Sequence, residues 1–575
     1  MVLPPSSSSS SSRLPSSLKR PTSLEASAAR RRREASTAQL RKDKKEDGLA
    51  KRRRPPARIC PPKTSADLSE PALLAQTIQA LPEDVRLLHS KERATQLEAC
   101  IRLRKLLSIE RNPPIAEVIA AGVVPRLVQF LHCFDDPTLV FEAAWAITNV
   151  ASGTSEHARV VIDNGAVPVF VALIQHPDTA VREQSMWALG NIAGDSPRCR
   201  DLVLSYGLVP PLITQCEALV LDAQREAAAA EAAGVPPKGT GGSAGANAAA
   251  TATGPGAGGS VVGSSFAHAT AGPPPTMQRN ATWLLSNLCR GRPPPRWELI
   301  APALPVLVQL LHVRTDDEVL TDTCWALSYV SEPPERIAPV VEAGAVGPLV
   351  ALLGHEQPTV QTPALRSIGN IVAGTAEEAA VVLRFGVLGC LGELLGSAKK
   401  ELRKETAWIV SNLTAGDQAQ VAAVCAAGFV PRLLEMVSSE EYDVRKEVAY
   451  ALCNACCSGS AEVVRWLVEL GVIALFLNLL SLPDVQLLLA VLSALEAILR
   501  AGTPPGAPLP GNGNPHARLL DEAGGCEVIE ALQMHEHTLI FEKAESILET
   551  WFGGVDDDED ASTAPVVASD GFRFG

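Results

Sequence analysis

The sequence predicts an all-α protein built as a solenoid of stacked helical repeats. Aromatic and asparagine side chains recur together at an interval of about 42 residues along much of the 575-residue chain. A glycine followed by apolar residues recurs at a similar interval. Apolar residues make up 46% of the chain and aromatic residues only 4%, which favours helices rich in Leu, Val and Ala. Units of this length cannot bury their apolar faces alone, so we expect them to stack on one another.

One position in each repeat, here called the ladder, is tryptophan in most units. Its members are Trp145, Trp187, Trp283, Trp325, Arg366, Trp408 and Tyr450, at intervals of 42, 96, 42, 41, 42 and 42 residues. A polar side chain stands four places after each: Asn149, Asn191, Asn287, Tyr329, Asn370, Asn412 and Asn454. Apolar residues within units follow the 3.6-residue period of a helix, as in Val167–Ile174. The ladder is therefore predicted to lie on helices.

Glycines mark the start of the next segment of each unit. They are Gly122, Gly165, Gly207, Gly344, Gly386, Gly428 and Gly471, and several are followed three places later by proline. Glycine commonly ends a helix and proline commonly begins one, so each unit is predicted to be a short bundle of helices. This period and helical pattern are typical of armadillo or HEAT arrays, and we predict a right-handed superhelix of about ten repeats over residues 71–552.

The charge of the chain is split between a basic head and an acidic body. Residues 1–63 contain 17 Lys/Arg and 5 Asp/Glu, a net charge of +12, which leaves 34 against 59, or −25, for the rest. We predict a Ser-rich disordered tail over residues 1–12 and a basic segment and linker over 13–70, helical from about 31 to 50. The head contains no aromatic residue for base stacking, and the acidic body would repel phosphate, so nucleic acid is not favoured as the partner.

The one long interval in the ladder carries about 54 extra residues, which fall at about 216–276. Their Ala-rich and Gly/Ser/Pro-rich composition predicts a disordered insertion that begins with a frayed helix. An acidic disordered tail is predicted at 553–575. No apolar run is long enough for a bilayer span, and the cysteines are not spaced as a disulfide framework, which indicates an intracellular protein.

Catalysis, metals and cofactors are not expected. None of the ten histidines stands beside a nucleophile and a carboxylate in a recognisable motif. Cys453, Cys456 and Cys457 resemble half of a metal site but lack a second pair at a suitable spacing. We interpret them as small residues on a buried helix face.

The ladder favours a peptide-binding groove. An acid or amide precedes most ladder positions by three residues, which places it on the same helix face; Glu142 and Gln184 are examples. Indole faces can hold the methylene stems of Lys or Arg through cation–π contacts of about 0.5–2 kcal/mol. Asparagine offers both a donor and an acceptor to an extended peptide backbone, while carboxylates such as Asp195 neutralise the charged tips. The alternative is that the aromatic residues are core and the asparagines are solvated.

In its ladder, its glycine markers and its basic head, the chain resembles the importin alpha family. The likeness is strongest in Phe141–Ser155, Met186–Asp195, Arg279–Arg290, Asp322–Tyr329 and Thr362–Gly374, and the basic stretch Arg30–Arg54 resembles the importin-beta-binding segment. The resemblance implies a nuclear import adaptor with no enzymatic activity. It would carry nuclear localisation signals between cytoplasm and nucleus.

The resemblance also implies two binding sites for basic signal peptides. The major site would comprise Trp145, Asn149, Gly153, Gln184, Trp187, Asn191, Asp195, Asn280, Trp283 and Asn287. The minor site would comprise Asp322, Trp325, Tyr329, Asn370, Glu405, Trp408, Asn412, Glu447, Tyr450 and Asn454. Tyr450 stands where the family usually has Trp, so the minor site is expected to be weaker. Whether cargo signals carry one basic cluster or two is left open.

Further partners follow from the same resemblance. Importin beta would bind the head through Arg30, Arg31, Arg32, Arg33, Arg41, Lys42, Lys44, Lys45, Lys51, Arg52, Arg53 and Arg54. The stretch Lys51–Arg54 resembles cargo and would compete for the groove, so the head would be autoinhibitory. The unit Gly524–Phe552 would meet a nuclear export receptor together with Ran-GTP. The alternative function is an armadillo scaffold for cytoskeletal or signalling proteins.

Overall fold

The computed structural model describes residues 70–109, 112–232, 275–503 and 513–552, and these ranges contain helices and no strand. The helices, in chain order, are α1 (Glu70–Leu88), α2 (Arg93–Leu107), α3 (Ile115–Ala120), α4 (Val124–Phe130), α5 (Pro137–Ala151), α6 (Ser155–Asp163), α7 (Ala166–Leu173), α8 (Thr179–Asp195), α9 (Pro197–Ser205), α10 (Val209–Ala232), α11 (Pro275–Cys289), α12 (Trp297–Ile300), α13 (Leu304–Leu310), α14 (Asp317–Val330), α15 (Ile337–Glu342), α16 (Val346–Leu353), α17 (Pro358–Val372), α18 (Ala376–Arg384), α19 (Val387–Leu394), α20 (Lys400–Thr414), α21 (Gln418–Ala426), α22 (Val430–Ser439), α23 (Tyr442–Ser458), α24 (Ala461–Glu469), α25 (Val472–Leu479), α26 (Val485–Ala501), α27 (Pro515–Glu522), α28 (Gly525–Leu532) and α29 (Thr538–Trp551). The predicted all-α class is confirmed.

Ten helices, every third one from α2 to α29, are called the long helices, and the seven ladder residues lie on α5, α8, α11, α14, α17, α20 and α23. Each long helix packs against the next one along the chain. Two further helices lie in each intervening segment, and all of them except α10 are shorter than the long helices. Aspartates at the N-caps of several long helices accept hydrogen bonds from backbone N–H groups, as Asp136, Asp178 and Asp316 do. A cap of this kind contributes about 0.5–2 kcal/mol to stability. The described ranges contain ten long helices, and the number of repeats stays a prediction.

The predicted glycine corners are confirmed. Each glycine marker lies between the first and second short helix of its unit and adopts a positive φ, from 72° at Gly122 to 86° at Gly471. Gly524 has the same conformation, with a φ of 74°. A residue with a Cβ atom pays a steric penalty in this left-handed region, which explains why the corner is glycine in these repeats.

The predicted start of the insertion at residue 216 is wrong. Helix α10 continues to Ala232, although the equivalent helix α7 has only eight residues. Cys216, Leu219 and Val220 are buried, and α10 packs along α11 and α13. Burial of this apolar stripe, together with the high helix propensity of the alanines that follow, extends the helix. Residues 233–274 lie outside the described residues, as do the head up to residue 69 and the tail from 553.

Within the described ranges, no single helix is both long and apolar enough to cross a membrane. Three pairs of consecutive helices, each bent by more than 40° at its junction, reach that length and composition only when the two members are taken together.

Candidate functional site

The ladder side chains all lie on long helices, but they are more buried than an open groove predicts. Trp145, Trp187, Trp283 and Trp408 are only 3–8% exposed, and Tyr450 is 3% exposed. Trp325 is half-buried and its ring stacks on Tyr329 with the two centroids 5.8 Å apart. The ladder therefore forms a packed row of rings along successive long helices, with limited exposed edges.

Two glycines that the sequence analysis did not single out make room for this packing. A Cβ atom on Gly190 would lie 2.2 Å from the ring of Trp283, and a Cβ atom on Gly369 would lie 2.0 Å from the ring of Trp408. Each indole ring therefore lies directly on the backbone of the preceding long helix. The signal was present in the sequence: the residue before each ladder amide is small, and in these two repeats it is glycine.

The ladder asparagines hold neighbouring repeats together. Asn287 Nδ2 donates to the carbonyl of Gly190 at 3.2 Å, Asn370 Nδ2 donates to that of Ser328 at 2.9 Å, and Asn454 Nδ2 donates to that of Ser411 at 2.8 Å. Asn191 makes the same contact with Thr148 at 3.4 Å. The asparagines are thus neither merely solvated nor wholly reserved for a ligand. A hydrogen bond donated by each of these asparagines links its own repeat to the preceding one.

The residues three places before the ladder differ in their partners. Gln184 Nε2 donates to the Thr148 hydroxyl at 2.8 Å, and Asn280 Nδ2 donates to Glu183 at 3.5 Å. Asp322 is buried, with 1% exposure, and Glu447 is half-buried. Glu405 forms a buried ion pair with Arg366 at 2.8 Å. The charge of Glu405, which the resemblance assigned to cargo, is therefore balanced inside the protein.

Three of the ladder rings already carry a cation from the chain itself. The guanidinium of Arg104 lies 4.4 Å from the ring centroid of Trp145, and that of Arg366 lies 5.2 Å from the centroid of Trp408. Lys446 Nζ lies 5.9 Å from the ring centroid of Tyr450. Arg104 was not identified by the sequence analysis because it precedes the first recognised ladder position. We call these three side chains the resident cations.

Trp187 and Trp283 differ from these three rings. None of the cation–ring contacts found within the described residues involves either side chain. Their rings keep 8% and 6% exposure respectively, and both flank the amides of Asn191 and Asn287. Trp187 and Trp283 therefore have no resident cation among the described residues.

A carboxylate stands where α8 ends. Asp195 is half-buried, and its Oδ1 accepts a hydrogen bond from the Ser155 hydroxyl at 2.9 Å. Its Oδ2 lies 3.7 Å from Cys199 Sγ, and burial raises the pKa of that thiol. Gly153 lies two residues before Ser155, and a Cβ atom at this position would lie 2.4 Å from His157 Nδ1. Both of these partners of Asp195 among the described residues are neutral.

The cysteines of α23 behave as structural side chains. Cys453 and Cys456 are 1% and 2% exposed, and burial raises the pKa of each thiol well above its ordinary value. A metal ligand has to be a thiolate, which this environment disfavours. The interpretation of these two residues as small buried side chains is confirmed, whereas Cys457 is exposed.

Comparison with protein families places known modules along the chain. The importin beta binding domain model matches residues 17–101, the armadillo/beta-catenin-like repeat model matches 111–152, 154–194, 292–332, 333–373 and 417–457, and an atypical Arm repeat model matches 514–566. A crystal structure of an engineered protein is similar to the chain with a TM-score of 0.64 and 26% identity, covering 82% of this chain and 98% of that one.

Curated relatives span most of the chain. Importin subunit alpha-2 of Arabidopsis thaliana is 48% identical over 503 residues, covering 87% of this chain and 83% of its own length. Importin subunit alpha-1b of Oryza sativa subsp. japonica is 41% identical over 510 residues, covering 88% and 85%. The chain belongs to the importin alpha family. Importin subunit alpha-B of Dictyostelium discoideum is also similar, at 46% identity over 489 residues.

Membership in the importin alpha family confirms the resemblance found in the sequence. The chain is a nuclear import adaptor with an importin beta binding domain and an armadillo solenoid. The two predicted peptide sites of this importin alpha map onto consecutive long helices: the major site onto α5, α8 and α11, and the minor site onto α14, α17, α20 and α23. Gly190 and Gly369 pack against two of the ladder rings, and the resident cation Arg104 packs against a third.

Proposed function

We propose that the ladder of this importin alpha binds the basic nuclear localisation signals of cargo proteins as extended peptides, and that the chain links this cargo to importin beta. The observation that carries the proposal is the stretch from Trp187 to Trp283. Its two indole rings keep 8% and 6% exposure and have no cation contact among the described residues, and the carboxylate of Asp195 lies at the end of α8. Lys and Arg side chains fit such a stretch, because their stems pack on indole and their tips need a carboxylate.

The asparagine contacts between repeats support peptide binding. A carboxamide has two N–H groups and an oxygen with two lone pairs, so the one hydrogen bond that Asn287 donates and the two that Asn370 donates to the preceding repeat leave part of this capacity for a ligand. These bonds also hold the rotamer of Asn287 and Asn370 before a ligand arrives. Side chains fixed in advance lose less conformational entropy on binding, which favours affinity.

The major site is proposed to dominate. In the minor site, Arg366 covers Trp408 and pairs with Glu405, while Lys446 covers Tyr450. A cargo cation would have to displace these contacts or share the rings with them. In the major site Arg104 covers Trp145, but no described cation covers Trp187 or Trp283, so we expect a single basic cluster to bind at these two rings.

The remaining assignments complete the proposal. Importin beta is proposed to bind the head through the basic residues of Arg30–Arg54, and Lys51–Arg54 is proposed to compete with cargo for the ladder. The unit Gly524–Phe552 is proposed to meet a nuclear export receptor together with Ran-GTP, so that the protein shuttles between cytoplasm and nucleus. Catalysis and cofactors form no part of the proposal.

Titration of a fluorescent Lys-rich peptide into the full-length protein tests this function. Trp187→Ala and Asn191→Ala should each weaken binding by about 1–3 kcal/mol. The first removes an indole wall of the stretch from Trp187 to Trp283, and the second removes a contact to the peptide backbone. Trp297→Ala is the matched control, because Trp297 is a half-buried indole that lies outside the ladder and is covered by Arg336. Unchanged affinity in the Trp187→Ala/Asn191→Ala double variant would contradict the proposal.

A further inference from the structure

The buried cluster formed by Arg104, Glu142 and Trp145 has the composition of a filled binding slot. Arg104 Nε and Nη2 donate to the two carboxylate oxygens of Glu142 at 2.7 and 3.3 Å. The same guanidinium covers the indole ring at 4.4 Å, and all three residues are less than 9% exposed. An indole face, a carboxylate and a cation are the groups that the proposed function brings together when cargo binds.

Arg104 occupies a ladder position. It precedes Trp145 by 41 residues, one repeat, and Ser108 precedes Asn149 by the same interval. Asn149 Nδ2 donates to the Ser108 hydroxyl at 3.0 Å, which parallels the contacts of the other ladder asparagines with their preceding helix. Helix α2 therefore continues the ladder by one further unit, with Arg in place of the aromatic residue and Ser in place of the amide.

The same cluster occurs a second time, where the ladder is interrupted. Arg366 donates to Glu405 at 2.8 Å and its guanidinium lies 5.2 Å from the ring of Trp408. Glu405 and Trp408 follow Arg366 by 39 and 42 residues, against 38 and 41 residues for Glu142 and Trp145 after Arg104. In both places an arginine at a ladder position fills the slot formed by the acid and the indole of the next repeat.

We propose that Arg104 is a specificity-determining residue which fills the first slot of the ladder and thereby sets how many consecutive basic residues a bound peptide can place in the major site. This inference rests on the proposed function. A buried guanidinium that is paired in bidentate fashion and stacked on indole presents the geometry that arginine–carboxylate pairs favour. Cargo cations meet an occupied slot at Trp145, so the accessible row begins with the next repeat.

The test measures how affinity depends on the length of the basic run. Peptides with increasing numbers of consecutive lysines, flanked by Gly and Ser, are titrated into the full-length protein. For the unmodified protein, affinity should rise with each lysine and then level off once the accessible row is filled. Arg104→Met should move this plateau by one lysine, with a gain of roughly threefold to thirtyfold for the added residue, because it uncovers Trp145 and Glu142.

Two further variants keep the test decisive. Arg104→Met leaves Glu142 buried without its partner, which destabilises a protein, so Arg104→Met combined with Glu142→Gln is measured alongside it. That double variant should show the same shift with a smaller gain, since it retains the indole face and loses the carboxylate. Arg104→Lys retains a resident cation and should leave the plateau where it is.

The outcomes separate this inference from the function on which it rests. Thermal unfolding shows whether both methionine variants are folded. If they are folded and the plateau stays at the same number of lysines, the proposed role of Arg104 is overturned, and its ion pair with Glu142 is purely structural. If the unmodified protein binds none of the peptides, the proposed function itself fails.

Discussion

At the scale of single residues, the ladder amides combine a structural role with the proposed binding role. Asn370 Nδ2 donates to the Ser328 carbonyl at 2.9 Å and to the Ser331 hydroxyl at 3.3 Å. Asn412 stands at the same ladder register one repeat later, but its buried Nδ2 has no hydrogen-bond partner among the described residues. Variants of these two asparagines therefore test the structural role and the binding role separately.

Asn370→Ala should lower the free energy of unfolding by about 1–3 kcal/mol, because it removes the hydrogen bonds that Asn370 donates to the Ser328 carbonyl and the Ser331 hydroxyl. Asn412→Ala should have a much smaller effect on stability, because it removes a polar group that has no partner to lose. Urea denaturation of the two variants and the unmodified protein measures the difference. Equal losses of stability in both variants would contradict a structural role for the hydrogen bonds between repeats.

Residue-level features were predictable from the sequence where they recur, and not where they depend on the backbone. The spacing of Trp and Asn placed the ladder correctly. The hydrogen bond from Asn370 to a backbone carbonyl could not be predicted from the sequence, because every residue has a carbonyl. Arg104 was missed for a related reason, since an arginine before the first tryptophan is indistinguishable from a surface charge until its stacking on Trp145 is seen.

At the scale of helices, ion pairs join the N-terminal ends of consecutive long helices. Arg403 on α20 pairs with both oxygens of Glu440 at 2.6 and 2.8 Å. Lys446 on α23 pairs with Asp484, the N-cap residue of α26. Burial raises the pKa of Asp484, but hydrogen bonds from Lys446 and Tyr442 outweigh this effect, so that the pKa lies below its ordinary value.

The stability contributed by Asp484 should therefore depend on pH. A carboxyl whose pKa is lower in the folded state stabilises it fully above its unfolded pKa, near about 3.9 for Asp, and the contribution is lost as the pH falls through the folded value. Asp484→Asn retains a good N-cap residue and removes the charge. Its melting temperature should lie below that of the unmodified protein at pH 7, and the difference should shrink on acidification below about pH 4.

Melting curves recorded from pH 7 down to pH 3 measure this effect. Asp178→Asn is the matched control, because Asp178 caps α8 in the same way while none of the ion pairs among the described residues involves it. A constant deficit for Asp484→Asn at every pH would indicate a loss of packing instead of a loss of charge.

The extended helix α10 leads to a prediction about two deletions. Replacing residues 233–274 by a short Gly/Ser linker should leave the melting temperature nearly unchanged, because loop-closure entropy varies slowly with length. Replacing 216–274 should lower it, because Cys216, Leu219 and Val220 would no longer be buried against the neighbouring repeat. Circular dichroism during heating compares the two. Similar melting of both variants would show that the extension adds nothing to the solenoid.

At the scale of the whole molecule, the repeat period predicted the fold because periodicity is a property of the sequence itself. Glycine spacing located the corners between short helices, and the ladder located the long helices. The description resumes at Pro275, where α11 begins, one residue before the predicted end of the insertion. The start of the insertion was not predictable, because an Ala-rich helix and a Gly/Ala-rich loop have similar composition and only packing distinguishes them. The role of the head lies outside the described residues and stays a prediction.

The most direct test of the account is the affinity of one labelled basic peptide for the full-length protein and for a version lacking residues 1–69, measured at low salt. Lys51–Arg54 is expected to compete for the ladder in the full-length chain, so the apparent affinity for cargo is the intrinsic affinity multiplied by the fraction of ladder that is unoccupied. The truncated protein should bind markedly more tightly, and Lys51→Ala/Arg52→Ala/Arg53→Ala should reproduce most of the gain. High salt should narrow the difference, because it screens exposed charges. Equal affinities at low salt would contradict competition between head and cargo for the ladder.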